Sequence, residues 1–168
     1  LATLAQSGPW KLIEARAFPS DRHAVASQIR FHGGDPASDL IELAPRPGAH
    51  TIDIEQIAEV LQREGERIAL VLWPGVQYAS GQRFDLKAIA TLGRAHGCAV
   101  GFDLAHAIGN VSVDLHDSGA DFAVWCSYKY LNSGPGAIAG CFVHERHARE
   151  DLPRFAGWWG HEQATRFL

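Results

Sequence analysis

The stretch Ile68-Ala69-Leu70-Val71-Leu72-Trp73-Pro74-Gly75 is a continuous apolar run that stops at a proline and a glycine. Such a run lacks the polar alternation of a half-exposed strand. It predicts a strand that is buried on both faces of a parallel sheet. Because parallel neighbours need crossover connections, which are usually helices, this stretch indicates an α/β fold.

On both sides of this stretch, strand-like segments alternate with segments that have helical periodicity. We expect further strands at residues 10–17, 40–43, 98–102, 122–126 and 137–143. We expect helices that start at Ser20 or Asp21, at Thr51 or Asp53, at Asp85 and near Val113, and that end at Gly33-Gly34, Gly65, Gly97 and near Ser118. The alternation predicts a mostly parallel sheet flanked by helices.

Composition narrows the class of protein. The 168 residues are 46% hydrophobic, with a net charge of −4 and a pI near 6.1, which disfavours a nucleic-acid-binding protein. No apolar run approaches the ~20 residues that span a bilayer, so we expect a cytoplasmic protein without a membrane partner.

The cysteines, Cys98, Cys126 and Cys141, lie in or beside predicted strands and are expected to be buried, reduced thiols. The chain contains no methionine and opens within a pattern at Leu1, so we expect a fragment of a longer protein.

Polar residues follow three of the predicted strands. In open α/β sheets the ligand lies beyond the carboxyl ends of the strands, so these residues should meet at one crevice. They are Phe18-Pro19-Ser20-Asp21, Asp103-Leu104-Ala105-His106 and Ser127-Tyr128-Lys129.

Lys129 is one of only three lysines, and it directly follows an apolar, aromatic strand. A lysine amine can form an imine with an aldehyde, which arginine cannot do, although a lysine stem can also simply lie along apolar surface at a strand end. Asp103 could hold a protonated pyridine nitrogen or could cap the following turn. Together, an acid after one strand and a lysine after the next match the requirements of pyridoxal phosphate.

Three motifs then carry a resemblance: G-F-D-L-A-H-A-I-G-N-V from Gly101, W-C-S-Y-K-Y-L-N from Trp125 and G-W-W-G-H-E from Gly157. With the A-F-P-S-D stretch from Ala17 and the G-V-Q-Y-x-x-G-Q stretch from Gly75, the chain resembles the kynureninase family. These are pyridoxal-phosphate enzymes of the aspartate-aminotransferase fold type. The resemblance implies a cytoplasmic homodimer that hydrolyses L-kynurenine or 3-hydroxykynurenine to anthranilate or 3-hydroxyanthranilate and L-alanine, in tryptophan catabolism and NAD biosynthesis.

The resemblance also implies the roles of individual residues. Lys129 would carry the cofactor as its Schiff base and act as a base, Asp103 would hold the pyridine nitrogen, and Tyr128 would reach the phosphate and donate a proton. The remaining cofactor contacts would come from Phe18, stacked on the ring, from Pro19, Ser20 and Asp21 of the same loop, from His106, and from Trp158 across a dimer interface. Trp159 would line the substrate pocket. Pro74 stands where some relatives carry serine, so a side-chain contact is lost there.

Other functions stay open. A cysteine desulfurase or a group V aminotransferase would share Asp103 and Lys129, but desulfurases usually carry a histidine where this chain has Tyr128. A metal hydrolase could use His106, His116, Asp117 or the His144/His147 pair, but we interpret residues 144–149 as a solvated helix face and expect no metal.

An inactive fragment is the third alternative. The family's phosphate-binding segment and its carboxylate-binding arginine are not in this sequence. We therefore expect residues 1–168 to be the central part of the large, cofactor-binding domain, with the N-terminal segment and the small domain absent.

Overall fold

A computed structural model describes residues 8–150 and 157–168 and contains, within these ranges, one six-stranded sheet. The strand order is β2-β1-β3-β4-β5-β6, and all neighbours are parallel except the antiparallel pair β5 and β6. The strands are β1 (Trp10–Glu14), β2 (Leu40–Leu43), β3 (Ile68–Pro74), β4 (Ala99–Asp103), β5 (Phe122–Trp125) and β6 (Gly140–Val143). The predicted, mostly parallel sheet is confirmed.

Helices connect the parallel strands. They are α1 (Pro19–Phe31), α2 (Pro36–Asp39), α3 (Ile54–Glu64), α4 (Leu86–Ala95) and α5 (Leu115–Ser118). The predicted start of α3 is confirmed, because Asp53 and Gln56 form a reciprocal capping box. The short α2, capped by the side chain of Asp35, was not predicted. None of the helices in the two described ranges is long and apolar enough to cross a membrane.

The predicted cap of α1 at Ser20 or Asp21 is wrong. The helix begins earlier, at Pro19, and Phe18 is the N-cap without a side-chain hydrogen bond. Proline is well suited to the first helical position, because its φ is already helical and its missing N–H would have no intrahelical partner there. Ser20 and Asp21 therefore lie in the first turn of α1.

The two faces of the sheet carry unequal cores. The larger core lies between the sheet and α3 to α5 and includes Trp73, Phe102 and Ile89. The smaller core joins Ile13 of β1 to Val25 and Ile29 of α1. β3 is an interior strand and contacts both cores, but its predicted burial on both faces is only partly correct, because Leu70, Leu72 and Pro74 are only partly buried.

A buried carboxylate ties the β4–β5 region to the segment after β6. Asp121 accepts hydrogen bonds from the Val100 N–H (2.7 Å), from Arg146 (2.8 Å) and from His147 Nε2 (2.8 Å). Burial opposes ionisation, but the hydrogen bonds from Val100, Arg146 and His147 prevail and lower the pKa of Asp121. The predicted solvated helix face is therefore wrong for Arg146 and His147, which are partly buried against Asp121.

The cysteine prediction is only partly correct. All three residues are free thiols, and Cys98 is buried. Cys126 is only partly buried, and Cys141 is exposed because it lies on β6, at the edge of the sheet. The sequence does not show which strand lies at the edge of the sheet, and this position decides how exposed a cysteine is.

The sheet contains a topological switch point. From β1 the chain crosses to β2 on one side and then to β3 on the other side. At such a point the connections leave in opposite directions and open a crevice at the carboxyl ends of the strands. Glu14, Pro74 and Asp103 are the last residues of β1, β3 and β4 at this edge.

Candidate active site

A cavity of about 450 Å³ lies at the carboxyl ends of the strands. Its lining includes most of the residues predicted from sequence, namely Phe18, Ser20, Asp21, Asp103, His106, Tyr128 and Lys129. Two larger cavities, of about 590 and 540 Å³, contain neither Lys129 nor Asp103. The predicted crevice thus brings together three loops that are far apart in sequence.

Lys129 lies in a tight turn directly after β5. The turn closes through a hydrogen bond from the Asn132 N–H to the Lys129 carbonyl, and Asn132 has a positive φ of 56°. The Ser127 hydroxyl donates to the Ile138 carbonyl and so ties the turn to the segment before β6. This turn directs the amine of Lys129 into the cavity.

The amine of Lys129 contacts His106. Lys129 Nζ lies 3.0 Å from His106 Nε2 and 5.5 Å from the centroid of the Phe18 ring. Burial, and then the charge of Lys129, lower the pKa of His106, so the imidazole is neutral at pH 7 and accepts the hydrogen bond through Nε2. His106 therefore orients the amine through this hydrogen bond and adds no second positive charge beside it.

Asp103 is held rigidly at the end of β4. Its Oδ1 accepts from the Ala105 N–H at 2.8 Å, and its carbonyl accepts from the Gly75 N–H at 2.8 Å. Within β4, Gly101 lies directly under the ring of Phe122. A Cβ at position 101 would collide with the ring atoms, so β4 can take this path to Asp103 because residue 101 is a glycine. The carboxyl group of Asp103 therefore has a fixed position in the cavity.

Asp103 belongs to a cluster of three carboxyl groups. Burial, then the charge of Asp103 and a hydrogen bond with it, raise the pKa of Asp21 to about 7. Burial, opposed by a hydrogen bond from Gln77, also raises the pKa of Glu14 to about 7. The cluster consequently holds protons at neutral pH that ordinary carboxyl groups would have lost.

Glu14 and Gln77 do not line the cavity, but they form a buried pair on which the charge of Asp103 acts, and sequence reasoning missed it. Both are buried, and Gln77 Nε2 donates to Glu14 Oε1 at 3.3 Å. A signal was present in the sequence, because Glu14 is the one acid in the apolar strand 10–14, on the same face as Leu12. An acid at a core-facing position is rarely buried unless it has a partner.

Aromatic rings form one wall of the site. The rings of Phe18 and Tyr78 meet edge to face at 5.5 Å, and His106 lies 6.4 Å from Tyr78 and 6.1 Å from Tyr130. Tyr78 and Tyr130 were not predicted as site residues. Phe18 and Tyr78 line the cavity with their rings nearly perpendicular to each other (87°), whereas Tyr130 contacts His106 but does not line the cavity.

Tyr128 lies at the mouth of the cavity with an exposed ring. A hydrogen bond with Cys126, and then the charge of that thiol, raise the pKa of the Tyr128 phenol. The phenol therefore carries its proton at neutral pH.

Some predicted residues are not brought to the cavity. Pro19 is exposed, does not line the cavity and starts α1 instead. Trp158 and Trp159 contact each other edge to face at 4.7 Å, and neither lines the cavity. Their assignments to a dimer interface and to a substrate pocket stay predictions. Among residues 8–150 and 157–168, no cluster of His, Cys, Asp or Glu could hold a metal ion.

The match to a protein family decides the wider classification. Residues 40–157, more than half of the chain, match the aminotransferase class-V family. The chain belongs to the class-V aminotransferase family.

Within the class-V family, the curated relatives that resemble this chain strongly include kynureninases. The kynureninase of Xanthomonas euvesicatoria pv. vesicatoria is 65% identical over 93% of this chain, and that of Xanthomonas campestris pv. campestris is 64% identical over the same share. The chain spans 37% of the length of these relatives. The resemblance predicted from the motifs is thus confirmed.

Solved structures support the class-V fold. The cysteine desulfurase of Thermococcus onnurineus matches 87% of this chain and 35% of its own length with a TM-score of 0.68 at 17% identity. The pyridoxamine-pyruvate aminotransferase of Mesorhizobium loti matches 91% of this chain and 38% of its own length with a TM-score of 0.65 at 23% identity. At these identities the two structures inform on the fold alone.

Class-V aminotransferases depend on pyridoxal phosphate, and the cavity fits that cofactor. It has room for a pyridine ring, since small-molecule sites typically measure about 300–1,000 Å³. It contains an amine at Lys129, a carboxylate at Asp103 and an aromatic face at Phe18. These are the groups that the aldehyde, the ring nitrogen and the ring face of the cofactor require.

Proposed function

We propose that this chain is the central part of the cofactor-binding large domain of a kynureninase. The enzyme would hydrolyse L-kynurenine or 3-hydroxykynurenine to L-alanine and anthranilate or 3-hydroxyanthranilate, in tryptophan catabolism and NAD biosynthesis. The observation that carries the proposal is the convergence of Lys129, Asp103 and Phe18 on one cavity in a chain that is 64–65% identical to kynureninases. By the same resemblance, we propose a cytoplasmic homodimer.

Each of these residues would hold a different part of pyridoxal phosphate. Lys129 would bind the aldehyde, Asp103 the pyridine nitrogen and Phe18 one face of the ring, and Ser20 and Tyr128, which line the cavity, would contact the phosphate. When bound, the cofactor supplies a cationic ring that withdraws electrons from the bonds of the attached substrate. The rest of the chemistry falls to the side chains of the protein.

Two of these side chains can move protons. Once its amine is released and neutral, Lys129 can remove a proton from the substrate α-carbon, and the contact with neutral His106 keeps the amine oriented. Tyr128 retains its proton at neutral pH and can donate it to the carbon that becomes the methyl group of alanine. Water adds to the side-chain ketone, and the aromatic fragment leaves as a carboxylic acid, which balances the reaction.

The test uses the full-length protein incubated with pyridoxal phosphate. With L-kynurenine as substrate, anthranilate fluorescence and L-alanine should appear in equal amounts. Borohydride reduction followed by peptide mapping should find the cofactor on Lys129. Lys129→Ala should abolish both results, whereas Lys87→Ala, which removes an exposed lysine, should leave both unchanged.

Each contrary result points to a different alternative. Sulfide released from L-cysteine without cleavage of kynurenine would favour a desulfurase. Transamination without anthranilate would favour a group V aminotransferase. The absence of any bound cofactor would leave a protein without this enzymatic function.

A further inference from the structure

Phe18 and Tyr78 line the cofactor cavity but belong to segments that are far apart in sequence. Phe18 is the N-cap of α1, and Tyr78 lies in the loop at residues 77–82, after β3. Each of the two side chains is 45% exposed, yet their rings meet edge to face at 5.5 Å. The core does not fix half-exposed side chains, so this contact requires the two backbone segments to be held at a fixed separation.

The loop that carries Tyr78 is closed by Gln77. The backbone N–H and carbonyl of Gln77 form hydrogen bonds with residues 82 and 81, both at 2.9 Å. The side-chain oxygen of Gln77 accepts from the Ala79 N–H at 2.6 Å and from the Ser80 N–H at 2.7 Å. Because the side chain of Gln77 reaches over Tyr78 to the next two amides, it fixes the path of the chain at Tyr78.

The same amide group also reaches the segment that leads to Phe18. The oxygen is occupied by the loop, so the nitrogen of Gln77 must point the other way. It donates to the Arg16 carbonyl at 3.1 Å and to Glu14 Oε1 at 3.3 Å. Glu14 is the last residue of β1, and Arg16 precedes Phe18 by two residues. One buried side chain, with both donors and both acceptor positions used, thus joins the two segments.

The contact between the two rings bears on the amine of Lys129. Lys129 Nζ lies 5.5 Å from the centroid of the Phe18 ring and 3.0 Å from His106 Nε2. Tyr78 lies beside both of these neighbours, because its ring is also 6.4 Å from the ring of His106. A displacement of Tyr78 would therefore change the surroundings of the amine on two sides.

We propose that Gln77 is a positioning residue of the cofactor site: by joining the Arg16 carbonyl to the amides of Ala79 and Ser80, it holds Tyr78 against Phe18. Phe18 is thereby kept in place beside the amine of the site. The purpose of this arrangement rests on the proposed function, in which Phe18 would cover one face of the cofactor. The link between the two segments does not itself require bound cofactor.

The first experiment is residue-resolved hydrogen exchange of the full-length, cofactor-free protein. Gln77→Met keeps the length of the side chain but removes its hydrogen bonds. We expect the Ala79 and Ser80 amides to exchange about tenfold faster in this variant, because each loses its side-chain acceptor. The Ala17 amide, which donates to the Glu14 carbonyl at 3.1 Å, should also exchange faster, because its segment loses the link to the loop.

Gln28→Met is the matched control, since Gln28 is exposed on α1. It should leave the exchange of all three amides unchanged. Unchanged exchange in Gln77→Met would overturn the proposal. Faster exchange at Ala79 and Ser80 with an unchanged Ala17 would overturn it too, because Gln77 would then close its own loop without acting on the segment of Phe18.

The second experiment measures the visible circular dichroism of the cofactor in the loaded, full-length protein. This band depends on how the ring of the cofactor is held by its neighbours. Gln77→Met and Tyr78→Ala should lower its intensity per bound cofactor to a similar extent, and the double variant should lower it no further, because both changes act through one contact. Tyr78→Phe should restore the band, since it keeps the ring that meets Phe18.

Tyr78→Ala also provides a second variant if Gln77→Met does not fold, because Tyr78 is half-exposed. A band that is identical in the wild type and in Tyr78→Ala would refute the positioning role. Additive losses in the double variant would refute it as well. If the wild-type protein binds no pyridoxal phosphate, the proposed function and the purpose of the arrangement both fail, while the exchange of the three amides still decides whether Gln77 joins the two segments.

Discussion

Replacement of Asp121 by alanine tests how the fold holds the site together. The Asp121 carboxylate is 8% exposed and serves three donors: the Val100 N–H of β4, the Arg146 guanidinium and His147. In Asp121→Ala the buried Val100 N–H loses its acceptor, which costs about 1–3 kcal/mol. Arg146, whose side chain is 25% exposed, also loses its carboxylate. Removing one partner of such a buried pair typically costs about 3–5 kcal/mol in total, and we expect a loss of this size.

The assay is urea-induced unfolding of the full-length protein followed by tryptophan fluorescence. Asp117→Ala is the matched control, because the Asp117 carboxylate is 73% exposed and pairs with the exposed His116, so its loss should leave the free energy of unfolding nearly unchanged. Asp121→Asn keeps an acceptor for Val100 but removes the charge, so it should fall between the two. If Asp121→Ala were no less stable than Asp117→Ala, the network would not tie β4 to the segment after β6 as we infer.

The stabilisation of the fold by Asp121 should also depend on pH. The pKa of Asp121 is lowered from its ordinary value of 3.8, so its stabilisation is fully present above that value. It is lost as pH falls through the still lower pKa of the folded state. The difference in unfolding free energy between wild type and Asp121→Ala should therefore shrink in acid.

Three further predictions concern the site. Asp103→Ala should still carry the borohydride-reducible cofactor on Lys129 but retain less than a tenth of the activity, since retention above a tenth would mean a contribution under ~1.4 kcal/mol. Tyr128→Phe should lower kcat by roughly 100-fold or more with a smaller change in KM, because the ring stays and only the proton donor is lost. Steady-state kinetics, which give kcat and KM separately, would test this. In the cofactor-free protein, the raised pKa values of Glu14 and Asp21 mean that the folded state holds extra protons between their ordinary values, 4.5 and 3.8, and about 7. Their contribution should make unfolding easier as pH rises through that window, and a Glu14→Gln, Asp21→Asn double variant should flatten this slope in urea titrations.

The sequence by itself determined most of the elements and the two central chemical groups. The apolar run of β3 and the Asp53 capping box of α3 are local patterns, so each element follows from residues next to one another. Asp103 and Lys129 could be placed because each directly follows a strand, and the carboxyl ends of parallel strands meet at one edge. The cap of α1 was misjudged by two or three residues, since Pro19 outweighs the capping preference of Ser20 or Asp21.

Only the tertiary structure decided which polar groups are buried and what they bind. Glu14 and Gln77 are 63 residues apart, and Asp121 lies 25 and 26 residues from Arg146 and His147, so no local pattern marks these pairs. A polar side chain is ordinarily solvated, and it changes its protonation or becomes a structural anchor only when distant segments exclude water from it. That exclusion is a property of the packed sheet, which is why the carboxyl cluster behind Asp103 emerged only once the strands were assembled.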